Sequence, residues 1–183
     1  MDKIEIKKKQ GSIVEALRDA ILSGSIPADT EMTQNELAQS LGVSRMPVRE
    51  ALIILEYQGL IRRLPNNHVR VVPQTREYIA ELFRMCRDLC VPLLCKTEHP
   101  EKFPEHDPDF HRAIYQQCHF AFQRKVLESL TEIYITYAAA RLTAKGTENI
   151  REVRQAAALR DEQKVQQVLQ RYYAVLLDGM MTE

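Results

Sequence analysis

Two arginines four residues apart, Arg45 and Arg49, lie in the stretch GVSRMPVREAL and are the first side chains whose spacing suggests chemistry. A guanidinium group can bind a guanine edge through two hydrogen bonds or clamp a phosphate. On a helix capped by Ser44, both arginines would share one face, and the exposed first-turn amides would suit a phosphate. Pro47 would be the third helical residue, where a proline removes no intrahelical hydrogen bond. The stretch therefore predicts a helix start suited to nucleic acid.

Asp107 and His111 form a second pair with chemical potential, again four residues apart. On a helix they would share a face, and an Asp–His pair suits Zn²⁺ or a similar divalent ion. Asp107 followed by Pro108 is also typical of a helix N-cap with proline at the first helical position. The residues favour an N-cap and a packed histidine over a metal site, and both interpretations stay open. A metal-dependent enzyme is a remote alternative, because no nucleophile or second carboxylate is placed to work with this pair.

The four cysteines are Cys86, Cys90, Cys95 and Cys118, and no two of them form a CxxC motif. In a chain expected to be cytosolic, they are interpreted as buried apolar residues and not as disulfides. Cys86 and Cys90 would share a helix face, so a metal or redox role is a minor alternative.

The elements that position Arg45 and Arg49 follow from caps and apolar periodicity. A first helix is predicted over residues 11–23, with Ser12 as its N-cap. A short second helix follows, capped by Thr33 with Glu36 at the capping-box position, and a third ends before Gly59.

The spacing between the second and third helices is that of a helix-turn-helix. Ala38 is small enough for a close helix crossing, Gly42 tolerates the positive φ of a tight turn, and Val48 would be buried one turn into the next helix. The first half of the chain is therefore predicted to place Arg45 and Arg49 on such a motif.

Two short β-type runs, LIRRL and VRVVP, flank the turn-forming loop PNNH, so a two-stranded hairpin is predicted from Ile61 to Val72. Three helices followed by a hairpin are the order of a winged helix. The tip of this wing would consist of Asn66, Asn67 and His68. Its strands would carry Arg62, Arg63 and Arg70.

The second half of the chain shows no strand pattern and predicts a helical bundle. Its first long helix contains Pro92, where a kink or break is expected. Further helices are predicted over 108–121, 124–145, 149–160 and 162–180. The fold class is thus mainly α, with a winged helix-turn-helix domain over 1–75 and an all-helical domain over 76–183.

Charge and hydropathy narrow the function classes only slightly. The 183 residues have a formal net charge of zero, so a nucleic-acid partner would have to meet a local basic patch. No apolar run approaches the roughly 18–20 residues of a membrane span, and no apolar core follows the first lysines. We therefore expect a cytoplasmic protein with no membrane partner.

Residues 12–73 resemble the N-terminal domain of GntR-family bacterial transcription regulators, through the phrase LAQSLGVSRMPVREAL and the wing that follows it. The resemblance implies a homodimer on a palindromic operator in double-stranded DNA, acting as a transcription regulator of the repressor kind. A protein-binding winged helix is the alternative, although it would not need Arg45 and Arg49. The predicted DNA-binding residues are Thr33, Asn35, Ser44, Arg45, Met46, Pro47, Arg49, Asn66, Asn67 and His68.

The chain departs from the family pattern at two places within this domain. Asn35 stands where many members have a basic residue, and no glycine occurs near Asn67 and His68. Asn35 can still bond a phosphate without adding charge, so affinity would be lower at high salt.

Residues 76–183 resemble, more weakly, the FCD-type effector domain of the FadR subfamily, chiefly through HDPDFHRAIYQQC. The resemblance implies a small organic-acid effector and a divalent metal, Zn²⁺ or similar, held by Asp107, His111 and two later histidines. Ile150 and Tyr172 stand where those histidines would be, so a metal cofactor is not certain. The predicted effector residues are Arg87, Asp107, His111 and Tyr172. Because the domain is short, helices kept for dimerisation alone are the alternative.

Overall fold

The computed structural model of the protein describes residues 13–142 and 145–181, and the chain divides between Gln74 and Thr75 into two compact units. The first, called the N-terminal unit, contains α1 (Ile13–Leu22), β1 (Glu31–Met32), α2 (Gln34–Leu41), α3 (Arg45–Tyr57), β2 (Ile61–Arg63) and β3 (Val69–Val71). The predicted cap at Ser12 lies outside the described residues.

The second unit, called the helical unit, has no strand in its described part. It contains α4 (Arg76–Lys96), α5 (Asp109–Gln116), α6 (Ala121–Leu130), α7 (Thr136–Ala139), α8 (Lys145–Ala158) and α9 (Glu162–Met181), with a 3₁₀ turn at Pro100–Lys102. The mainly α fold class is confirmed, with a winged helix-turn-helix followed by a helical domain.

The core of the N-terminal unit forms where α1 and α2 pack against α3. α1 turns one apolar face inward, and apolar residues of α2 and α3 are buried with it. Val48, predicted to be buried, is fully buried. The buried set includes Val14, Leu17, Ile21, Leu37, Ala38, Val48, Leu52 and Leu55. This apolar side leaves the opposite side of α3 in solvent.

The predicted hairpin is present as β2 and β3, and β1 adds a third antiparallel strand that was not predicted, giving the order β1-β3-β2. In β3, Arg70 is paired with Arg62 of β2 on one side and with Glu31 of β1 on the other. The two residues of β1 lie in a polar connector and are too few to show a period of two, which is why the strand was missed.

The helical unit is organised around α9, which packs against both α4 and α8. α4 continues through Pro92 to Lys96, so the helix does not break at the proline. Val91 and Leu94 are buried on either side of the proline. Their packing holds the last turn although Pro92 removes one backbone hydrogen bond.

Between α6 and α7 the chain forms a π-helical turn over Thr131–Ile135. The Thr136 hydroxyl donates to the Thr131 carbonyl at 2.9 Å, inside this widened turn. α5 ends at Gln116, so the helix predicted over 108–121 is shorter than expected. None of the described helices is both long and apolar enough to cross a membrane.

Candidate nucleic-acid interface and buried polar cluster

The start of α2 carries the capping box that the sequence predicted. The Thr33 hydroxyl accepts a hydrogen bond from the Glu36 amide at 3.1 Å, and the Glu36 carboxylate accepts one from the Thr33 amide at 2.7 Å. The bond from the Thr33 amide, followed by that from its hydroxyl, lowers the pKa of Glu36. Thr33, a predicted DNA residue, is thus held in place, and Asn35 lies exposed as the second residue of α2.

The turn between α2 and α3 depends on Gly42, whose φ is +65°. The Val43 amide bonds to the Ala38 carbonyl at 3.1 Å, which closes a Schellman-type turn. A Cβ at Gly42 would meet no atom within 4 Å, so the requirement for glycine is conformational and not steric. The turn sets the direction in which α3 leaves α2.

We expect Gly42→Ala to lower the free energy of unfolding of the N-terminal unit by about 1–2 kcal/mol, the cost of a left-handed conformation for an L-residue. Gly42→Asn is the matched control and should cost less, because asparagine visits this region readily. Urea unfolding followed by circular dichroism measures both. Equal stability of the alanine variant and the wild type would contradict the conformational argument.

The N-terminal end of α3 is exposed and presents the predicted recognition residues. Ser44 is the N-cap residue, but its side chain makes no capping bond. Arg45 and Arg49 are exposed on one helix face, Met46 is 62% exposed, and Pro47 is half-buried as the third helical residue. The prediction that Pro47 falls in the first turn is confirmed.

The arginines of this unit fall into two groups. Arg63 pairs with Glu56 at 3.3 Å, and Arg70 pairs with Glu31 at 3.2 Å. Within the described residues, no carboxylate lies within ion-pairing distance of Arg45, Arg49 or Arg62. These three guanidinium groups therefore remain available for an anion.

The tip of the wing is held by β1. The Glu31 carboxylate accepts a bond from the Asn66 side-chain amide at 3.1 Å and lies 2.7 Å from His68 Nδ1. Asn67, at the apex, has a φ of +61°, a conformation that asparagine tolerates. The wing thus forms its turn without the glycine that the family pattern implies.

Glu31 is a residue that the sequence analysis missed. Hydrogen bonds from Asn66, Arg70 and His68 lower the pKa of its carboxyl group to about 2. The partners lie 35 to 39 residues away along the chain, so no local pattern signals the contact. Glu31 remains ionised at neutral pH and fixes the wing tip against the sheet.

A buried polar cluster occupies the interior of the helical unit and includes two predicted effector residues. Asp107 Oδ1 lies 2.5 Å from His111 Nδ1, and the other ring nitrogen, Nε2, lies 2.7 Å from the Tyr173 hydroxyl. α5 begins at Asp109, and the Asp107 carboxylate bonds to the imidazole, so the predicted N-cap role of Asp107 is wrong. A buried ring nitrogen needs a partner, and Asp107 supplies it.

His111 is surrounded by aromatic rings. It lies 5.3 Å from Phe110, 5.8 Å from Tyr172 and 5.6 Å from Tyr173, measured between ring centroids. Burial lowers the pKa of His111, but the charge of Asp107 and the hydrogen bond to it outweigh burial and raise the pKa above its ordinary value. Asp107 thus makes protonation of His111 easier than it would be for a free histidine.

The metal set implied by the FCD resemblance does not fit these residues. Two of its four ligands, Asp107 and His111, are present and adjacent, but the carboxylate bonds to the ring itself. The positions expected for the other two histidines hold Ile150 and Tyr172, which are both buried and offer no imidazole. A carboxylate and three imidazoles around one ion cannot be assembled from these four positions.

Tyr172 is fully buried, and its hydroxyl has no hydrogen-bond partner. We expect Tyr172→Phe to raise the free energy of unfolding of the helical unit by about 1 kcal/mol, since it removes an unsatisfied buried hydroxyl without changing shape. Thermal unfolding of the ligand-free chain measures this. Tyr173→Phe is the matched control and should destabilise, because the Tyr173 hydroxyl is bonded to His111. A loss of stability in Tyr172→Phe would contradict the assignment.

An open pocket of about 250 Å³ lies between α4 and α9. It is lined by Ala80, Phe83, Arg84, Arg87, Gln170, Tyr173, Ala174 and Leu177. Of the predicted effector residues, Arg87 alone is among these lining residues. Its guanidinium group pairs with Asp88 at 2.7 Å. Asp107 and His111 belong to the buried cluster, and Tyr172 stacks on the His111 ring.

Residues 9–71 match the sequence model of the gntR family of bacterial regulatory proteins. Among curated proteins, a Streptomyces ambofaciens HTH-type transcriptional regulator is 45% identical over 49 residues, covering 27% of this chain and 21% of that protein. The gluconate operon transcriptional repressor of Bacillus subtilis is 42% identical over 67 residues, covering 37% of this chain and 27% of that protein. The chain thus aligns with about a quarter or less of these relatives' lengths.

Two solved structures share the fold over nearly the whole chain. One, from Rhodococcus sp. RHA1 and described as a transcriptional regulator GntR, has a TM-score of 0.57 at 21% identity and covers 92% of this chain and 95% of its own. The other is Lar, described as controlling expression of the Listeria monocytogenes agr system. Its TM-score is 0.59 at 14% identity, with 91% and 94% of the two chains covered.

These structural likenesses extend the architecture of the N-terminal match to the helical unit. The family match therefore covers the N-terminal unit, and the two solved structures show that the helical unit shares their fold.

Proposed function

We propose that this protein binds a palindromic DNA operator as a homodimer, with the N-terminal end of α3 in the major groove and the wing on the neighbouring backbone. The observation that carries the proposal is the state of Arg45 and Arg49. Both are exposed on one face of the first turns of α3, with no carboxylate partner among the described residues. This end of a recognition helix meets base edges in helix-turn-helix proteins.

Each predicted contact has a chemical role in this arrangement. The guanidinium groups of Arg45 and Arg49 would bind guanine edges or phosphates. The Ser44 hydroxyl and the first amides of α3 would hold a phosphate, and exposed Met46 would contact a thymine methyl group. Other phosphates of the DNA backbone would be contacted by Thr33, Asn35, Asn66, Asn67 and His68. Pro47 would stiffen the start of α3.

Selection of bound sequences from a pool of random duplexes tests the proposal with the full chain. We expect enrichment of an inverted repeat whose half-sites lie about one helical turn apart. Enrichment of a single asymmetric site would overturn the homodimer, and no enrichment over the starting pool would overturn sequence-specific binding. Fluorescence anisotropy on the selected duplex then gives the affinity.

The helical unit would hold the two protomers together and respond to a ligand, as a shortened FCD-type domain. Phe120 and Phe122 are 75% and 78% exposed at the start of α6 and supply apolar surface for such a contact. The pocket between α4 and α9 has the size of a small organic acid, with Arg84 and Arg87 at its wall. Repression of transcription by this protein would agree with the name of the relative from Bacillus subtilis, the gluconate operon transcriptional repressor.

One observation favours a second candidate, in which the helical unit dimerises without an effector. Arg84 pairs with Glu81 and Asp88, and Arg87 pairs with Asp88, so an acidic ligand would have to displace these carboxylates. Thermal shifts with a panel of small carboxylic acids separate the two candidates. A saturable shift that Arg87→Gln abolishes supports the effector, and no shift with any acid supports dimerisation alone.

A further inference from the structure

We propose that Cys86, Cys90 and His111 form a binding site for a thiophilic divalent ion, Zn²⁺, in the interior of the helical unit. The three side chains are buried, with 0%, 1% and 2% of their surfaces exposed. One donor atom from each lies within 4.8 Å of the other two. The set contains two sulfurs and one nitrogen, which differs from the carboxylate and histidines that the resemblance implies.

The two sulfurs already have the separation that a tetrahedral ion requires. The Sγ atoms of Cys86 and Cys90 are 4.0 Å apart. Two thiolates bound to one tetrahedral Zn²⁺ at about 2.3 Å each would be about 3.8 Å apart. Since residues four apart share a helix face, α4 presents both donors without a change in its backbone.

His111 is oriented as metal-binding histidines are. Its Nδ1 is bonded to the Asp107 carboxylate, and the other nitrogen, Nε2, faces the Tyr173 hydroxyl, which itself contacts Cys86 Sγ. Metal-bound histidines commonly use the second nitrogen in this way, with a carboxylate behind the ring. Asp107 would therefore be a positioning residue and not a ligand.

The Asp107 carboxylate is itself buried beside the proposed site. Its side chain is 4% exposed, and Oδ2 is buried without a hydrogen-bond partner. A buried carboxylate is costly unless it is paired with a donor or a positive charge. Because Zn²⁺ with two thiolates is neutral overall, the Nδ1–H of His111 would be the group that compensates Asp107, and an ion on Nε2 would polarise that N–H.

Binding of the ion would change the hydrogen bonds of the Tyr173 hydroxyl. Its hydroxyl lies 2.7 Å from His111 Nε2 and 3.3 Å from Cys86 Sγ. The ion would take the Nε2 lone pair, so the hydroxyl gives up that bond. The two thiols release their protons to solvent, as does Nε2 where it carries one, and no oxidant or reductant is needed.

Cobalt substitution tests the site in the full-length, reduced chain without DNA, so the outcome is independent of operator binding. After removal of metal with a chelator, we expect one equivalent of Co²⁺ to produce a sulfur-to-cobalt charge-transfer band and the intense visible bands of a tetrahedral ion. Zn²⁺ should bleach both. This measurement needs no variant, so a folding defect cannot obscure it.

Variants then assign the ligands. Cys86→Ser and Cys90→Ser should each weaken the charge-transfer band and lower Zn²⁺ affinity by more than the roughly 10- to 100-fold expected for Asp107→Asn. Cys95→Ser, on the same helix outside the cluster, is the matched control and should bind as the wild type does.

Three results would overturn the proposal. One is Co²⁺ bound without a charge-transfer band, which would mean oxygen and nitrogen ligands only. Another is a band that survives in both cysteine variants. The third is the absence of any stoichiometric Co²⁺ or Zn²⁺ binding to the reduced wild-type chain.

Discussion

Arg45→Ala and Arg49→Ala will each weaken binding to the selected operator by about 1–3 kcal/mol, or about 5- to 150-fold in Kd. The reason is that each variant removes an exposed guanidinium group from the groove-facing end of α3 without disturbing an ion pair among the described residues. Anisotropy titrations against the selected duplex and against single-base variants of it measure the effect. Loss of an arginine that reads a base relaxes specificity at one position, whereas loss of a phosphate contact lowers affinity for all duplexes alike.

Arg171→Ala is the matched control for these two variants. Arg171 is an exposed arginine of the helical unit that pairs with Glu152 at 2.9 Å. Its loss removes the same charge from the chain, and we expect less than about 0.5 kcal/mol of change in stability, as is usual for surface substitutions. If Arg171→Ala weakened operator binding as much as Arg45→Ala, the lower affinity would be due to the change in the net charge of the chain. The recognition role of α3 would then be wrong.

Phe110→Ala will lower the free energy of unfolding of the helical unit by about 3–5 kcal/mol. Phe110 is fully buried and lies edge-on to both Phe103, at 6.1 Å, and His111, at 5.3 Å. Its removal leaves a cavity beside the pair that His111 forms with Asp107. Urea and thermal unfolding followed by circular dichroism measure the loss.

Leu159→Ala is the control, because this leucine is 68% exposed and its truncation should change stability by less than about 0.5 kcal/mol. Similar losses of stability in the two variants would contradict the burial argument.

Operator binding by Phe110→Ala provides a second measurement. If the helical unit joins two protomers, its unfolding in Phe110→Ala will lower operator affinity, because the second half-site loses its effective concentration.

The helix-turn-helix could be predicted because its determinants are local. The Thr33–Glu36 capping box spans four residues, and the turn requires one residue of positive φ, which is Gly42. Pro47 was placed correctly because the first turn of a helix has amides without intrahelical acceptors. Caps and turns of this kind are properties of short segments, and the structure reproduces them.

The contacts that were missed join distant segments. Glu31 of β1 reaches Arg70, 39 residues later, and a two-residue strand has no period to detect. Likewise, the Tyr173 hydroxyl reaches Cys86 across 87 residues, so the meeting of Cys86, Cys90 and His111 is a product of how α4, α5 and α9 pack. Residue types made Asp107 and His111 candidates, but only packing shows that the carboxylate bonds to the ring.

Local rules also failed where packing outweighs them. Pro92 was expected to kink or break its helix, yet α4 does not break there and continues for four more residues with Leu94 buried. Asp107 was expected to cap a helix, yet its carboxylate bonds to a buried imidazole. In both cases a buried side chain determines the outcome, and such burial cannot be deduced from the residues immediately around it.

Glu31 gives the wing its own counterion. Its carboxylate holds His68 and Arg70, two of the cationic or potentially cationic groups near the tip, before any DNA is present. On binding, these groups would exchange a carboxylate oxygen for a phosphate oxygen, so the wing would release fewer solution ions than its basic residues suggest. The salt dependence of operator binding would then arise chiefly from Arg45 and Arg49 of α3 and Arg62 of β2, and the tip of the wing would act mainly by shape.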